Sequence, residues 1–197
     1  AVPGRFRFAD SNGDLKITPD DRVFLGDPHP DFTYSLNLTM DYMGFDLSAL
    51  FYGSQGNDVY NLTKSYLDFF SFYPPTNKSK RLLNAWTPTN KDTDIPIIET
   101  TRSPSTAFSS SSYYIEDGSF LKLRSLTLGY TINPSILQKV NISQLRIYIQ
   151  GANLFTITGY SGLDPELIGG STSAMGVDRG SYPNNEKAVY VGVNLKF

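Results

Sequence analysis

The chain of 197 residues has no cysteine, one histidine and no long apolar run. Without cysteine it forms no disulfide and does no thiolate chemistry. The single histidine, His29, sits between Pro28 and Pro30 and reads as a loop residue. With so few soft ligands, any bound metal has to be a hard cation held by oxygen. No stretch of ~18 apolar residues is present, so no transmembrane helix is expected. Charged residues are 18% of the chain, below the usual ~25%. The net charge of −2 gives no reason to expect nucleic acid as a partner. Nor is there a Gly-x-Ser-x-Gly or another arranged nucleophile, so no catalytic residue is expected. Asp164 and Glu166 flank Pro165 and read as a polar turn, with a carboxylate pair as the alternative. The chain opens on Ala-Val-Pro-Gly, with neither Met nor a signal peptide. A piece of a longer chain is therefore expected.

What the chain does have is alternation. Its last stretch, Lys187 to Phe197, puts Val189, Val191, Val193, Leu195 and Phe197 on one face. Ala188, Tyr190, Gly192, Asn194 and Lys196 fall on the other, the pattern of a strand with one apolar side. Its length suits the ~9–11 residues of a tilted transmembrane strand. Ending on an aromatic suits the lipid–water boundary of an outer-membrane barrel. Tyr190-x-Gly192-x-x-Leu195-x-Phe197 also resembles the C-terminal signal read by the barrel-assembly machinery. A soluble edge strand is the other reading of this segment taken alone.

Residues 1–31 are punctuated by glycine and proline and read as loop. Within them Asp10, Asn12, Asp14, the Lys16 carbonyl and Asp21 have the spacing of a calcium loop, with Ile17 as its apolar anchor. Two features depart from that pattern. Leu15 stands where a sharp turn normally needs glycine, and Asp21 is shorter than the usual glutamate. The alternative is an Asx-rich solvated turn.

Beyond the loop, strands are expected near 32–42, 43–53, 120–133, 142–158 and 187–197. Tyr34, Leu36, Leu38, Met40 and Tyr42 share one face of the first, and Met43-Gly44 turns it into the second. In the third, Leu126, Leu128, Tyr130 and Ile132 share a face. Lys122 and Arg124 have the same parity, as if leaving the hydrocarbon zone. In the fourth, Leu145, Ile147, Ile149 and Phe155 oppose Arg146, Tyr148, Gln150 and Ala152. Between the hairpin and the third strand lies a long irregular stretch. A short helix within 58–70, with Val59, Leu62, Tyr66, Phe69 and Phe70 on its apolar side, is expected to end at Pro74-Pro75. Tyr66, Phe69, Phe70, Phe72, Tyr73 and Trp86 are candidates to touch a sugar or a partner, or simply to pack the loop on itself.

The connections alternate long and short, as they do between the outer loops and periplasmic turns of a bacterial barrel. With the last strand running inward, the inner rim carries Tyr42, Phe45, Tyr130 and Phe197. The outer rim then carries Tyr34, Phe51 and Phe155, and all seven aromatics have lipid-facing parity. A β-sandwich has no reason to sort aromatics by depth. The expected fold is all-β: the C-terminal five strands of a transmembrane antiparallel barrel, with residues 1–31 as an extracellular loop. Five strands cannot close a barrel, so the rest of it lies outside this chain.

Four blocks resemble one family, the SusC/RagA-like TonB-dependent outer-membrane transporters. They are Asp10 to Arg22 with Leu25 to Tyr34, then Ile115 to Tyr130, Gly151 to Glu166, and Val191 to Phe197. They occur in family order, with Leu15 the main departure. The resemblance implies a Bacteroidetes barrel of about 22 strands, with its plug and N-terminal barrel absent here. It also implies a SusD-like lipoprotein as lid, energy from the TonB complex, and import of oligosaccharides or peptides. A passive porin-like barrel and a soluble glycan-binding β-sandwich are the alternatives.

Overall fold

A computed structural model divides the chain into two compact units. It describes residues 2–69, 76–101, 103, 110–137, 141–166, 174–180 and 186–197. In chain order the strands are β1 (Phe32–Tyr42), β2 (Phe45–Gln55), β3 (Asp58–Asn61), β4 (Ile115–Asp117), β5 (Phe120–Thr131), β6 (Gln144–Thr158), β7 (Val177–Asp178) and β8 (Ala188–Lys196). Two short helices are α1 (Thr63–Asp68) and α2 (Pro134–Leu137). No helix among the described residues is long and apolar enough to cross a membrane, which says nothing about strands.

One unit comprises His29–Asp58, Asp117–Leu167 and Tyr182–Phe197. It holds a sheet in the order β1-β2-β5-β6-β8, with every neighbouring pair antiparallel. Spatial order follows chain order, the up-and-down pattern of a barrel wall. β1 turns into β2 through Met43-Gly44, at φ 47 and 85. Positive φ at both central residues is the two-residue turn whose twist matches that of the flanking strands.

The register puts the apolar residues of all five strands on one face. Leu36 pairs with Phe51, Leu47 with Leu128, Leu128 with Ile149, and Ile149 with Val191. That face is open: Leu38 is 50% exposed, Met40 64%, Ile147 45% and Val193 60%. So broad an apolar surface is untenable in water but ordinary against lipid. The rim aromatics meet as cross-strand neighbours. Tyr42 pairs with Phe45 and Phe45 with Tyr130, whose rings lie 4.6 Å apart. The opposite face carries Asp46, Ser48, Thr127, Arg146, Tyr148, Gln150 and Asn194. In a barrel wall this polar face lines the lumen.

One sequence expectation fails here. Lys122 and Arg124 do not leave the hydrocarbon zone on the lipid face. Leu50 pairs with Ser125 but Phe51 pairs with Leu123, so Arg124 is an extra residue in β5. A bulge of this kind reverses the parity beyond it. Lys122 therefore pairs with Tyr52 and Thr156 on the polar face, and Leu121 and Leu123 take the apolar one.

The other unit comprises Ala1–Pro28, Val59–Glu116 and Ile168–Ser181. A small sheet runs β4-β3-β7, and Phe69 and Tyr114 are buried with Phe6, Tyr60 and Tyr113 packed on them. The helix expected within 58–70 is shorter than its pattern suggested. Val59 belongs to β3 and is 1% exposed, while α1 buries Lys64, Ser65 and Asp68 and leaves Tyr66 and Leu67 more than a third exposed. The reason is pairing. The Lys64 ammonium donates to the Tyr113 carbonyl at 2.7 Å and meets Glu116 at 3.1 Å. Asp68 accepts from the Tyr113 hydroxyl at 2.7 Å and lies 3.5 Å from Arg81. Paired polar groups thus occupy the buried side where apolar ones were expected, although Asp68 Oδ1 makes no hydrogen bond among the described residues. Phe70, Phe72, Tyr73, Pro74 and Pro75 lie outside the described residues.

Burial raises the Asp68 carboxyl above the usual carboxylate range, against the Tyr113 hydroxyl and the Arg81 and Lys64 charges, which lower it. A raised folded pKa means that the folded unit holds the proton more tightly than the unfolded chain. Its stabilising contribution is full below the ordinary carboxyl value of 3.8 and is lost as pH rises through the raised value. Amide-exchange protection of Thr63–Asp68, corrected for intrinsic rates, is therefore expected to fall as pH rises out of the acid range. Asp68→Asn should flatten that dependence. Protection that rises with pH instead would contradict this assignment.

Candidate functional site

Three clusters, the acidic loop and one open recess are the candidates. The first is the end of the chain. β8 pairs with β6 from Ala152↔Ala188 to Gln144↔Lys196, so Tyr190 lies opposite Gln150, Gly192 opposite Tyr148, and Leu195 opposite Leu145. Tyr190 and Gly192 are on the lumenal face, Leu195 and Phe197 on the apolar one. Phe197 is 83% exposed, as a lipid-side anchor is in an isolated wall. Gly192 has a steric role of its own. The Tyr148 ring occupies the space beside it, and a Cβ there would fall 2.5 Å from Tyr148 Cε1. An aromatic covering a strand glycine fixes register.

The second cluster lies beside it on the lumenal face. Arg146 reaches across Gly129 to Asp46, with Nε–Oδ1 2.8 Å and Nη2–Oδ2 2.5 Å. A Cβ at Gly129 would meet Arg146 Nη2 at 2.5 Å, so the glycine leaves room for the bridge. The guanidinium also sits 4.8 Å from the Tyr148 ring centroid. Asp46, Arg146, Tyr148 and Gly192 thus link β2, β6 and β8 across Gly129 of β5.

The third cluster was not legible in the sequence. Lys122, with 0% exposure, donates to Asp164 Oδ1 at 3.2 Å and to Glu166 Oε2 at 2.7 Å. Arg124 pairs with Glu166 Oε1 and lies over the Tyr52 ring at 4.7 Å. Asp164 and Glu166 are partners of cations here, which is neither the bare polar turn nor the carboxylate pair of the sequence reading. The available signal was Lys122 and Arg124 sharing parity with Leu126, which a bulge explains better than a membrane exit does.

The acidic loop behaves differently from a preformed cation cage. Asp10 Oδ1 accepts from the Gly13 amide at 2.7 Å, and Asp10 Oδ2 from the Leu15 amide at 2.7 Å. Asn12 accepts from the Asp14 amide, and Asp14 from the Lys16 amide. Asp21 accepts from the Thr18 amide at 2.7 Å and the Ser11 amide at 2.8 Å. The Thr18 amide first, with those of Ser11 and Asn12, holds the Asp21 carboxyl below the usual range. Leu15 takes the left-handed conformation, φ 64, at the position where a calcium loop turns. Among the described residues, no three His, Cys, Asp or Glu side chains come together closely enough to hold one ion. The oxygens are present in the right order, but they are aimed at the loop's own amides.

Of the loop aromatics, Phe69 is buried in the core and Trp86 packs on Gly4, whose φ is 82. A recess of about 210 Å³ beside Trp86 is lined by Arg5, Phe6 and Asp94 among others.

Comparison with known proteins decides what kind of wall this is. No family model matches the chain. It is 36% identical, over 99% of its length, to TonB-dependent receptor P3 of Formosa agariphila, of which it covers 19%. It is 29% identical, over 96%, to the TonB-dependent receptor SusC of Bacteroides thetaiotaomicron, of which it covers 17%. The RagAB peptide importer in its closed-closed state superposes at a TM-score of 0.75, with 29% identity over the whole chain and 21% of the importer chain. A RagAB peptide transporter structure gives 0.72, with 30% identity over 86% of the chain and 17% of the other.

The chain belongs to the SusC/RagA-like TonB-dependent receptors.

It spans about a fifth of the length of the curated relatives it matches. The open sheet is thus part of an outer-membrane barrel wall, and its apolar face is the lipid face. Relatives named as receptors and importers place this SusC/RagA-like segment outside the enzymes.

Proposed function

We propose that the intact protein carrying this wall imports nutrients across the outer membrane. Oligosaccharides or peptides are the cargo, a SusD-like surface lipoprotein is the lid, and the TonB complex supplies the energy. The carrying observation is near-complete coverage of this chain by TonB-dependent receptors at up to 36% identity. The peptide-importer structures and the SusC match support a two-component arrangement of this kind. The test removes the whole gene and measures uptake of labelled oligosaccharides and labelled peptides, with and without TonB. Loss of uptake for one class, reproduced by loss of TonB, is the expected result. Uptake of small solutes that persists without TonB identifies a passive porin and overturns the reading.

A second proposal concerns the loop from Asp10 to Asp21. We propose that one calcium ion re-aims Asp10, Asn12, Asp14, the Lys16 carbonyl and Asp21 from amides to metal, at ~2.3–2.6 Å. The oxygen spacing and the left-handed Leu15 support this. Calcium is expected to raise the melting temperature of the intact protein by a few degrees, and chelator to reverse the gain. Identical melting in calcium and in chelator leaves the loop a self-capped turn.

A further inference from the structure

Beyond its place in the wall, β5 carries a device that the import reading does not require. The bulge at Arg124 turns Lys122 into the lumen, where a solvent-filled pore would hydrate its ammonium. Lys122 is instead completely buried. What covers it is the segment after β6, residues 159–166, which folds back over the polar face. Tyr160 is 5% exposed, Asp164 4% and Phe120 4%. Asp164 Oδ1 accepts from both the Lys122 ammonium and the Glu166 amide, the latter at 3.0 Å, so one carboxylate shapes the turn and anchors it. Glu166 divides its two oxygens between Lys122 and Arg124. The Thr158 hydroxyl donates to the Ser119 carbonyl at 2.8 Å where the segment leaves the sheet. Two cations from the strand and two carboxylates from the segment balance in charge. The buried ammonium is paired and hydrogen-bonded, as a buried charge has to be, while Asp164 Oδ2 makes no hydrogen bond among the described residues.

We propose that Lys122, Arg124, Asp164 and Glu166 clamp residues 159–166 inside the barrel mouth as a fixed constriction of the import path. They are positioning residues: they hold the segment in place and need not touch cargo. A gate that opened each cycle would have to expose Lys122 and Asp164 unpaired. The clamp therefore makes this stretch a wall that cargo passes, narrowing the lumen on one side. The part concerning uptake rests on the import reading, whereas the clamping itself does not.

The experiment uses the full-length transporter in its own outer membrane, with Arg124→Glu, Glu166→Arg and the charge-swapped double variant. These two residues form the more exposed half of the clamp, so the barrel has the best chance of assembling. Amide exchange of 159–166 is read against that of β1, and uptake is normalised to assembled molecules. Each single reversal should speed exchange of 159–166 at least ten-fold, leave β1 unchanged and cut uptake per molecule several-fold. The swapped pair should restore both in part, because it re-forms the 124–166 pair but leaves Lys122 with Asp164 as its anionic partner. Unchanged exchange in the single variants overturns the clamp. Freed exchange with normal uptake per molecule overturns the constriction. If the single variants fail to assemble, Lys122→Met takes their place with the same readouts. Assembly that returns in the swapped pair while exchange stays fast also overturns the clamp.

Discussion

Val193→Arg is expected to lower the stability of the assembled barrel by ~2–4 kcal/mol, and Asn194→Arg by much less. The two positions are adjacent on β8 and both are exposed in the sheet, so burial does not separate them. What separates them is the face. Val193 pairs with Ile147 on the apolar side, and Asn194 with Arg146 on the polar side. Depth makes the cost large. Val193 is four residues from Phe197, about 13 Å along a strand. With a tilt of ~45° that is about 9 Å below the aromatic rim, near the middle of a band ~25 Å tall. Asn194→Arg places a second guanidinium beside Arg146. In a watery lumen such a pair repels by no more than about 1 kcal/mol, because solvent and salt screen it. Folding titrations in lipid vesicles of the full-length protein and both variants measure the difference. Equal losses at the two positions would mean that the faces have been assigned the wrong way round.

That assignment was legible in the sequence because a strand's period is two and each face meets a different solvent. Leu36, Leu38 and Met40 against Asn37, Thr39 and Asp41 leave little choice, and β1 pairs as the alternation required. The rim aromatics added depth to direction. Parity counting loses its authority at one extra residue. Arg124 breaks the count, and every side chain from Phe120 to Leu123 then belongs to the opposite face. The signal was two basic residues on an otherwise apolar parity, and the segment that neutralises them lies more than forty residues away. In the irregular unit the failure is of another kind. α1 buries Lys64 and Asp68 because Glu116, Tyr113 and Arg81 pair with them, and no periodicity in residues 58–70 encodes those partners.

The last strand combines two roles that mutation should separate. Gly192→Ala puts a Cβ inside the space of the Tyr148 ring, so the ring, the strand or the Arg146–Asp46 bridge beside it must shift. Overpacking of this kind costs about 1–3 kcal/mol. It should appear as a lower melting temperature of barrels that have assembled. Because the clash is with one ring, Tyr148→Ser in the same molecule should return most of the loss. Deleting Phe197 is different. It removes one exposed anchor from a rim that also has Tyr42, Phe45 and Tyr130, so an assembled barrel should melt almost as before. What the deletion takes away is the final residue of the Tyr190, Gly192, Leu195, Phe197 pattern, which we propose is read before the barrel closes. Its expected effect is a several-fold fall in outer-membrane abundance, with uptake per assembled molecule preserved. Abundance on unheated gels, melting of the assembled fraction and normalised uptake distinguish the two variants. If the Phe197 deletion assembles normally and loses uptake instead, the pattern is no assembly signal and the terminal aromatic works in transport. If Tyr148→Ser does not rescue Gly192→Ala, the glycine is held by something other than the ring that covers it.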